Sequence, residues 1–334
     1  MNTTITALEA PLNIKTPDLL IMASSQSALS SKLVNADVLY SKTSYLPNTY
    51  ERFKRINYVI ITEHQHLGEA CMRMKVDIES RIAQLRKYDQ ELGETKNQDD
   101  INDIQAERAY TLKNATAIAS AESARLASAL NGMKEAANRQ QTQEFQTSLE
   151  QDVIKTNTGI DDAKTRLAAI QEERRVLTEA IDAIESKGFA SIAKDTLLTA
   201  EKVIALGVQP PQIAVITLAI EQMKATLESG AEGINFIAMV KRRDGMRERI
   251  DKLFEQVTQR EKEKLALTQR IELIECFHAM DDQRTLYVEQ YQKIAQTIDS
   301  FLTINQAAAL DEKAFARRFI SSGLQLSSYL QPIR

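Results

Sequence analysis

The chain has 334 residues, of which 43% are hydrophobic, 26% charged and only 5% aromatic, with no tryptophan. This is the profile of long helices packed through Ala, Leu and Ile, not of a globular enzyme with a thick core. A net charge of −4 and an isoelectric point near 5.7 give no reason to expect nucleic-acid binding.

Prolines stand only at Pro11, Pro17, Pro47, Pro210, Pro211 and Pro332, and there are ten glycines. Nothing therefore forbids continuous helix between Pro47 and Pro210, or from Gln212 to Gln331. The expected fold class is all-α: an elongated antiparallel helical bundle or coiled-coil rod with an apolar helical hairpin at one end.

Residues 1–17 read as a leader, and Pro17-Asp18 opens a helix through Leu19, Ile21, Met22, Leu29, Leu33 and Leu39. Tyr45-Leu46-Pro47-Asn48 is a connector. A longer helix runs from Tyr50 to about Leu92, with Ile60, Leu67, Met74, Ile78, Leu85 and Leu92 near heptad spacing. Gly93 and the polar run after it suggest its end, with Asp99 or Asp100 capping the next helix.

From Ile101 the helical pattern persists for nearly ninety residues. Leu112, Ala119, Leu126 and Met133 are seven apart, and the seam returns at Val153, Ile160, Ala163, Leu167, Ile170, Leu177, Ile181 and Ile184. Asn157 to Gly159 is a candidate break. The many Ala and Ser residues imply close helix approach, as in an antiparallel bundle.

The stretch between Lys187 and Lys241 differs. Val203 to Ile220 holds no charged residue, and Gly207 with Pro210-Pro211 breaks the helix at its centre, giving two arms around a tight turn. The first arm gathers Phe189, Ile192, Leu197, Ala200, Val203 and Ile204 on one side; Leu206 and Val208 lie in the turn. The second carries Ile213, Ile216, Ile220, Met223, Leu227, Ile234 and Ile237 at spacings of three and four, with Gly230 diluting the stripe. Thr217, Glu221, Lys224, Glu228, Glu232 and Asn235 form a narrow polar strip about a third of a turn away.

Such a hairpin is either a cap whose apolar faces pack on each other or a segment that enters a membrane. Roughly 25 residues at about 1.5 Å each exceed the ~30 Å of hydrocarbon. Nine large aliphatics between Val203 and Ile220 supply about −3 to −5 kcal/mol, and one central Lys or Glu costs about +2.5 to +3.5. A lone copy should not insert readily. A ring of copies could, with polar strips facing a shared lumen and apolar faces meeting lipid.

After the hairpin comes the basic cluster Lys241, Arg242, Arg243, Arg247 and Arg249. It is either a solvated face paired with Asp244, Glu248 and Asp251 or a site for anionic headgroups. Met246, Ile250, Leu253, Val257, Leu267, Ile271 and Ile274 continue the seam in the opposite direction, and Tyr287, Ile294, Ile298 and Phe301 carry it on. Thr303-Ile304-Asn305 marks a bend before a last helix from Gln306 to Leu330. The expected divisions are 1–187 (N-terminal and ascending helices), 188–241 (the hairpin) and 242–334 (descending and C-terminal helices), with the two central helices running out to the hairpin and back.

No dinucleotide, P-loop, zincin, serine-hydrolase or C-x-x-C motif is present. His64 and His66 point about 200° apart on a helix and cannot share a metal; His278 reads as a seam-edge packing residue. Cys71 and Cys276 read as reduced packing residues. No catalytic, cofactor-binding or metal-ligating residue is expected. The sequence MNTTITALEA lacks a basic n-region and a long apolar h-region, so synthesis as a soluble cytoplasmic chain is expected, with release by lysis or an unseen route.

On length, lack of a visible signal peptide, long proline-free helices and the central GVQPPQIAVITLAIEQMK hairpin flanked by heptads, the chain resembles the B-type component of the α-xenorhabdolysin binary cytolysins, relatives in architecture of the ClyA-like α-helical pore-forming toxins. The resemblance covers nearly the whole chain. It implies a subunit that joins a membrane-binding A-type partner, changes conformation, and presents its central segment as transmembrane helices of a hetero-oligomeric ring in the host-cell membrane. The membrane-inserting positions would then be Phe189, Ile192, Val203, Ile204, Leu206, Val208, Pro210, Pro211, Ile213, Ile216, Ile220, Met223, Leu227, Ile234 and Ile237. Glu221, Lys224, Glu228 and Glu232 would face the lumen, and Lys241, Arg242 and Arg243 would meet headgroups. A structural coiled-coil scaffold and a secretion-system translocator remain alternatives.

Overall fold

The computed structural model describes residues 12–135, 138–186, 197–205, 207–226, 234–305 and 312–333. The described residues form nine α-helices: α1 (Leu19–Thr43), α2 (Pro47–Glu94), α3 (Gln98–Lys113), α4 (Ala117–Met133), α5 (Arg139–Glu185), α6 (Ala200–Ala205), α7 (Pro210–Thr226), α8 (Phe236–Ile304) and α9 (Glu312–Leu330). Among them there is no strand beyond a single antiparallel bridge between Leu198 and Ile234. The chain is all-α, as its proline and glycine placement allows.

Local chemistry sets the helix starts. Asp18 caps α1 by accepting a hydrogen bond from the Ile21 amide at 3.0 Å, a contact worth about 1 kcal/mol. Pro47 opens α2, where its missing amide proton is no loss. Just before it Leu46 holds a left-handed φ of 52°, which costs a non-glycine about 1–2 kcal/mol; its side chain packs against the neighbouring core and offsets that strain.

Three expectations are corrected. Asn97, not Asp99 or Asp100, caps α3, its side-chain oxygen accepting from the Asp99 amide at 3.2 Å; the two aspartates occupy the first turn instead, where the helix dipole favours them. The run from Ile101 is three helices. It is interrupted at Asn114, whose side-chain amide donates to the Tyr110 carbonyl at 3.0 Å, and again after Met133. Asn157 to Gly159 is no break, because α5 runs through it. The Arg260 side chain lies over that glycine: a Cβ on Gly159 would stand 1.5 Å from Arg260 Nη1, the far end of an exposed side chain. At the expected bend α8 ends at Ile304; residues 306–311 of the expected last helix lie outside the described residues.

The chain divides into two units, one formed by Met1–Gln143 with Glu272–Arg334 and the other by Glu144–Ile271. In the first, α2 packs against α1, α3, α4 and α9. Its core is aromatic where α8 enters: Phe53 stacks on Phe277 with ring centroids 5.5 Å apart, and Phe301 meets Phe319 at 5.9 Å. Each such buried ring contributes about 1.5–3 kcal/mol by leaving water. Gly323 lets α9 approach α2 closely, since a Cβ there would stand 3.0 Å from Ile78 Cγ2 and Ile82 Cδ1.

A polar network threads this unit. Arg125 donates to Glu63 at 3.0 Å and to Glu122 at 3.2 Å. Arg73 also donates to Glu122. Burial alone would raise the Glu122 pKa, but hydrogen bonds from Arg73 and Arg125 outweigh it and hold the carboxyl below its usual range. Tyr291 donates to Glu63 at 3.4 Å, and Tyr287 lies 3.3 Å from His64 Nδ1. Burial raises both tyrosines and lowers His64.

In the second unit α5 and α8 run antiparallel, because later α5 residues meet earlier α8 residues: Asn157 with Lys264, Lys164 with Glu261, and Glu173 with Arg242. The larger core of this unit joins Val176, Leu177, Ala180, Ile181 and Ile184 of α5 to the hairpin helices and the start of α8.

Candidate membrane-inserting hairpin

The break inside the charge-free run is built by Gly207, whose φ of 71° suits a residue without Cβ. Its amide donates to the Ile204 carbonyl at 3.1 Å and closes α6. Pro210 and Pro211 then occupy the first turn of α7, and the Gln209 carbonyl accepts from the Gln212 and Ile213 amides at 3.0 and 3.1 Å. Prolines there remove only amides that a helix start leaves unpaired.

The described part of the first arm is helical only from Ala200. Leu197 to Thr199 is extended enough for the Leu198 amide to donate to the Ile234 carbonyl at 2.8 Å. The second arm is not one helix to Ile237. Asn235, expected on its polar strip, instead caps α8, its side-chain oxygen accepting from the Ala238 amide at 2.8 Å. The sequence held that signal: an Asn directly before the apolar run Phe236 to Val240, with Gly230 and Gly233 upstream.

The apolar face of α7 is turned inward. Ile216, Ala219, Ile220 and Met223, one face at helical spacing, are buried with α5's Leu177, Ala180 and Ile181 and α8's Phe236, Met239 and Met246. Val203, Val208 and Ile234 are buried in the same core, and Ile213 is half-buried against it. Ile204, Ile237, Pro210 and Pro211 are exposed. Phe189, Ile192, Leu206 and Leu227 lie outside the described residues. On the polar strip Glu221 and Lys224 are exposed, while Glu228 and Glu232 lie outside the described residues.

The basic residues that follow are divided in their contacts. Lys241 is exposed. Arg242 donates twice to Glu173 of α5, at 3.1 and 2.9 Å, and Arg243 lies 2.9 Å from Asp244. Arg242 thereby ties the start of α8 to α5 at the edge of the hairpin core.

Cys71 and Cys276 are both free thiols, and burial pushes Cys71 up to about 12. His278 Nε2 lies 2.8 Å from Thr142 Oγ1, and burial with the Arg139 charge lowers its pKa. Among the described residues no group of His, Cys, Asp or Glu could hold a metal ion, and no helix is long and apolar enough to cross a membrane.

No family model and no curated protein matches the sequence. Solved structures do. PaxB from Photorhabdus luminescens matches with a TM-score of 0.71 at 16% identity, over 94% of this chain and 96% of its own. XaxB from Xenorhabdus nematophila matches with a TM-score of 0.74 at 14% identity, over 96% of each chain. The chain has the PaxB and XaxB fold. The YaxAB pore complex also matches, with a TM-score of 0.59 at 14% identity over 95% of this chain and 99% of that one. The resemblance to the B components read from the hairpin and its flanking heptads is therefore matched by the three-dimensional fold over nearly the full length.

Proposed function

We propose that the chain is the B-type subunit of a two-component α-helical pore-forming cytolysin. It joins a membrane-binding A-type partner, changes conformation, and inserts the segment 188–241 as transmembrane helices of a hetero-oligomeric ring, lysing the target cell. The observation that carries this is the buried apolar face of α7: it hides Ile216, Ile220 and Met223 in a core from which hydrocarbon could release them, on a fold shared with subunits of the XaxAB and YaxAB pore complexes.

The energetics favour a conditional device. Each large aliphatic withdrawn from the core exposes about 1.5–3 kcal/mol of apolar burial, which only lipid or a neighbouring subunit can replace. Glu221 and Lys224 each cost about 2.5–3.5 kcal/mol at the bilayer centre unless a ring gives them water. The closed chain therefore waits for a partner. In the inserted state Ile204, Ile213, Ile216, Ile220 and Met223 face acyl chains, Glu221, Lys224, Glu228 and Glu232 line the lumen, and Lys241 and Arg243 meet headgroups. Synthesis is cytoplasmic, action is at the host-cell membrane, and no enzymatic step is involved.

Dye release from liposomes tests this, using the chain alone and with the A component of XaxAB. Release only when both are present is expected. Strong release by the chain alone would contradict the need for a partner, and no release with any A-type component would leave a scaffold role instead.

A further inference from the structure

The middle of the second unit is thinly packed. There α5 and α8 lie antiparallel, and Ile160, Ala163 and Val257 form a small buried cluster of their own. On one face the two helices leave a groove of about 280 Å³ with the buried Ile160 at its base, lined also by Leu265 and by the charged Asp161, Lys164, Glu261 and Lys264. Three large apolar side chains of these two helices stand in solvent: Leu265, which lines the groove, at 58%, and beyond its ends Ile154 at 66% and Phe254 at 64% exposure.

Helical spacing puts these on one side. Phe254 and Leu265 are three turns apart on α8, within about 20° of each other, and Ile154 lies two turns from Asp161 on α5, again within about 20°. One exposed leucine is ordinary. Three large apolar residues on one side of this helix pair, one of them lining the groove, beside so small a buried cluster, make an apolar face that the pair alone does not cover.

We propose that this face docks a second copy of the chain, groove to groove. A second antiparallel pair brings the stretch to four helices, the number at which such seams close around a shared core. The charges point to a like partner. Two carboxylates and two ammonium groups alternate on the rim; Lys164 pairs with Glu261 at 2.7 Å and Lys264 donates to Asn157 at 2.7 Å. Turned about a two-fold axis, the same rim offers an ammonium to each carboxylate. A lipid surface or a partner of one charge sign would leave half the rim facing its like.

The test is sedimentation equilibrium of the full chain over a wide concentration range, with Phe254→Glu and Leu265→Glu as variants and circular dichroism confirming their fold. Self-association weakened roughly tenfold or more by each variant is expected, as for central apolar anchors. A photoreactive benzoylphenylalanine placed at Phe254 should crosslink to residues 144–271 of the second copy. A monomer at every concentration, association indifferent to both variants, or a crosslink outside 144–271 overturns the proposal. So does a Phe254 crosslink that forms only to an added A-type component. Because the assay contains no membrane, its failure leaves the dye-release experiment on the hairpin untouched.

Discussion

The two faces of the hairpin allow membrane entry to be separated from folding with a pair of substitutions. Ile220 is buried beside Leu177 and Ala180, so Ile220→Asp removes a core side chain and strands a carboxylate: about 2–5 kcal/mol for the lost aliphatic, before the carboxylate's own desolvation. That variant should fail by melting. Ile204 is 57% exposed in the closed chain, so Ile204→Asp should stay within about 0.5 kcal/mol of the parent in a thermal melt. In the bilayer the same change replaces a residue worth about −0.5 kcal/mol with one costing about 2.5–3.5, a penalty near 3–4 kcal/mol per subunit. Occupancy of the inserted state should then fall by a factor on the order of 10² to 10³ per subunit. Circular dichroism melts and partnered dye release are read side by side. An Ile204→Asp protein that melts normally and releases dye like the parent would refute passage of α6 through the hydrocarbon.

Other outcomes follow from the packing and the buried histidines. Gly323→Val drives methyl groups into Ile78 and Ile82, already 3.0 Å from an added Cβ, and should cost about 1–3 kcal/mol in a denaturant titration; an unchanged midpoint would show that α9 can retreat from α2. Gly159→Ala meets only the movable end of the exposed Arg260, so helix propensity should prevail and raise stability by up to about 1 kcal/mol; a loss would mean that the guanidinium is held in place. His64 and His278 have pKa values lowered by burial, so the unfolded chain takes up their protons first, near pH ~6.5. Stability from these groups is complete above that pH and is lost as pH falls through the window toward the folded values. The melting temperature should therefore drop between about pH 7.5 and about pH 5, less so in His64→Gln; a parent curve that is flat or rises on acidification would refute this.

Much of this was legible in the sequence because it depended on single residues with one conformational use. Asp18 after Pro17 is a capping side chain and Pro47 a first-turn proline, and Gly207 with Pro210-Pro211 breaks a helix. What was not legible depended on three-dimensional neighbours. Gly159 reads as a break until Arg260 is found lying over it. The seam at Leu112, Ala119, Leu126 and Met133 keeps its seven-residue phase across the turn at Asn114, so periodicity alone cannot reveal that the side chain there captures the Tyr110 carbonyl. Asn235 was misread because its three-and-four spacing with the hairpin residues hid its role as a cap. For the hairpin, the apolar stripe of α7 was plain in the sequence, whereas its inward direction needed α5 and α8 as neighbours.

Cys71 makes the first unit its own timekeeper. Its side chain is fully buried among α2's core residues and burial pushes its pKa up to about 12, so at neutral pH it is held as the thiol and not the thiolate that reagents attack. Labelling must wait until the helices part, which returns the thiol to its ordinary reactivity. Cys276, half-buried on α8, responds to smaller openings. The interval between the two modifications thus measures how far this unit loosens before it comes apart, and whether a partner or a lipid surface shortens the wait.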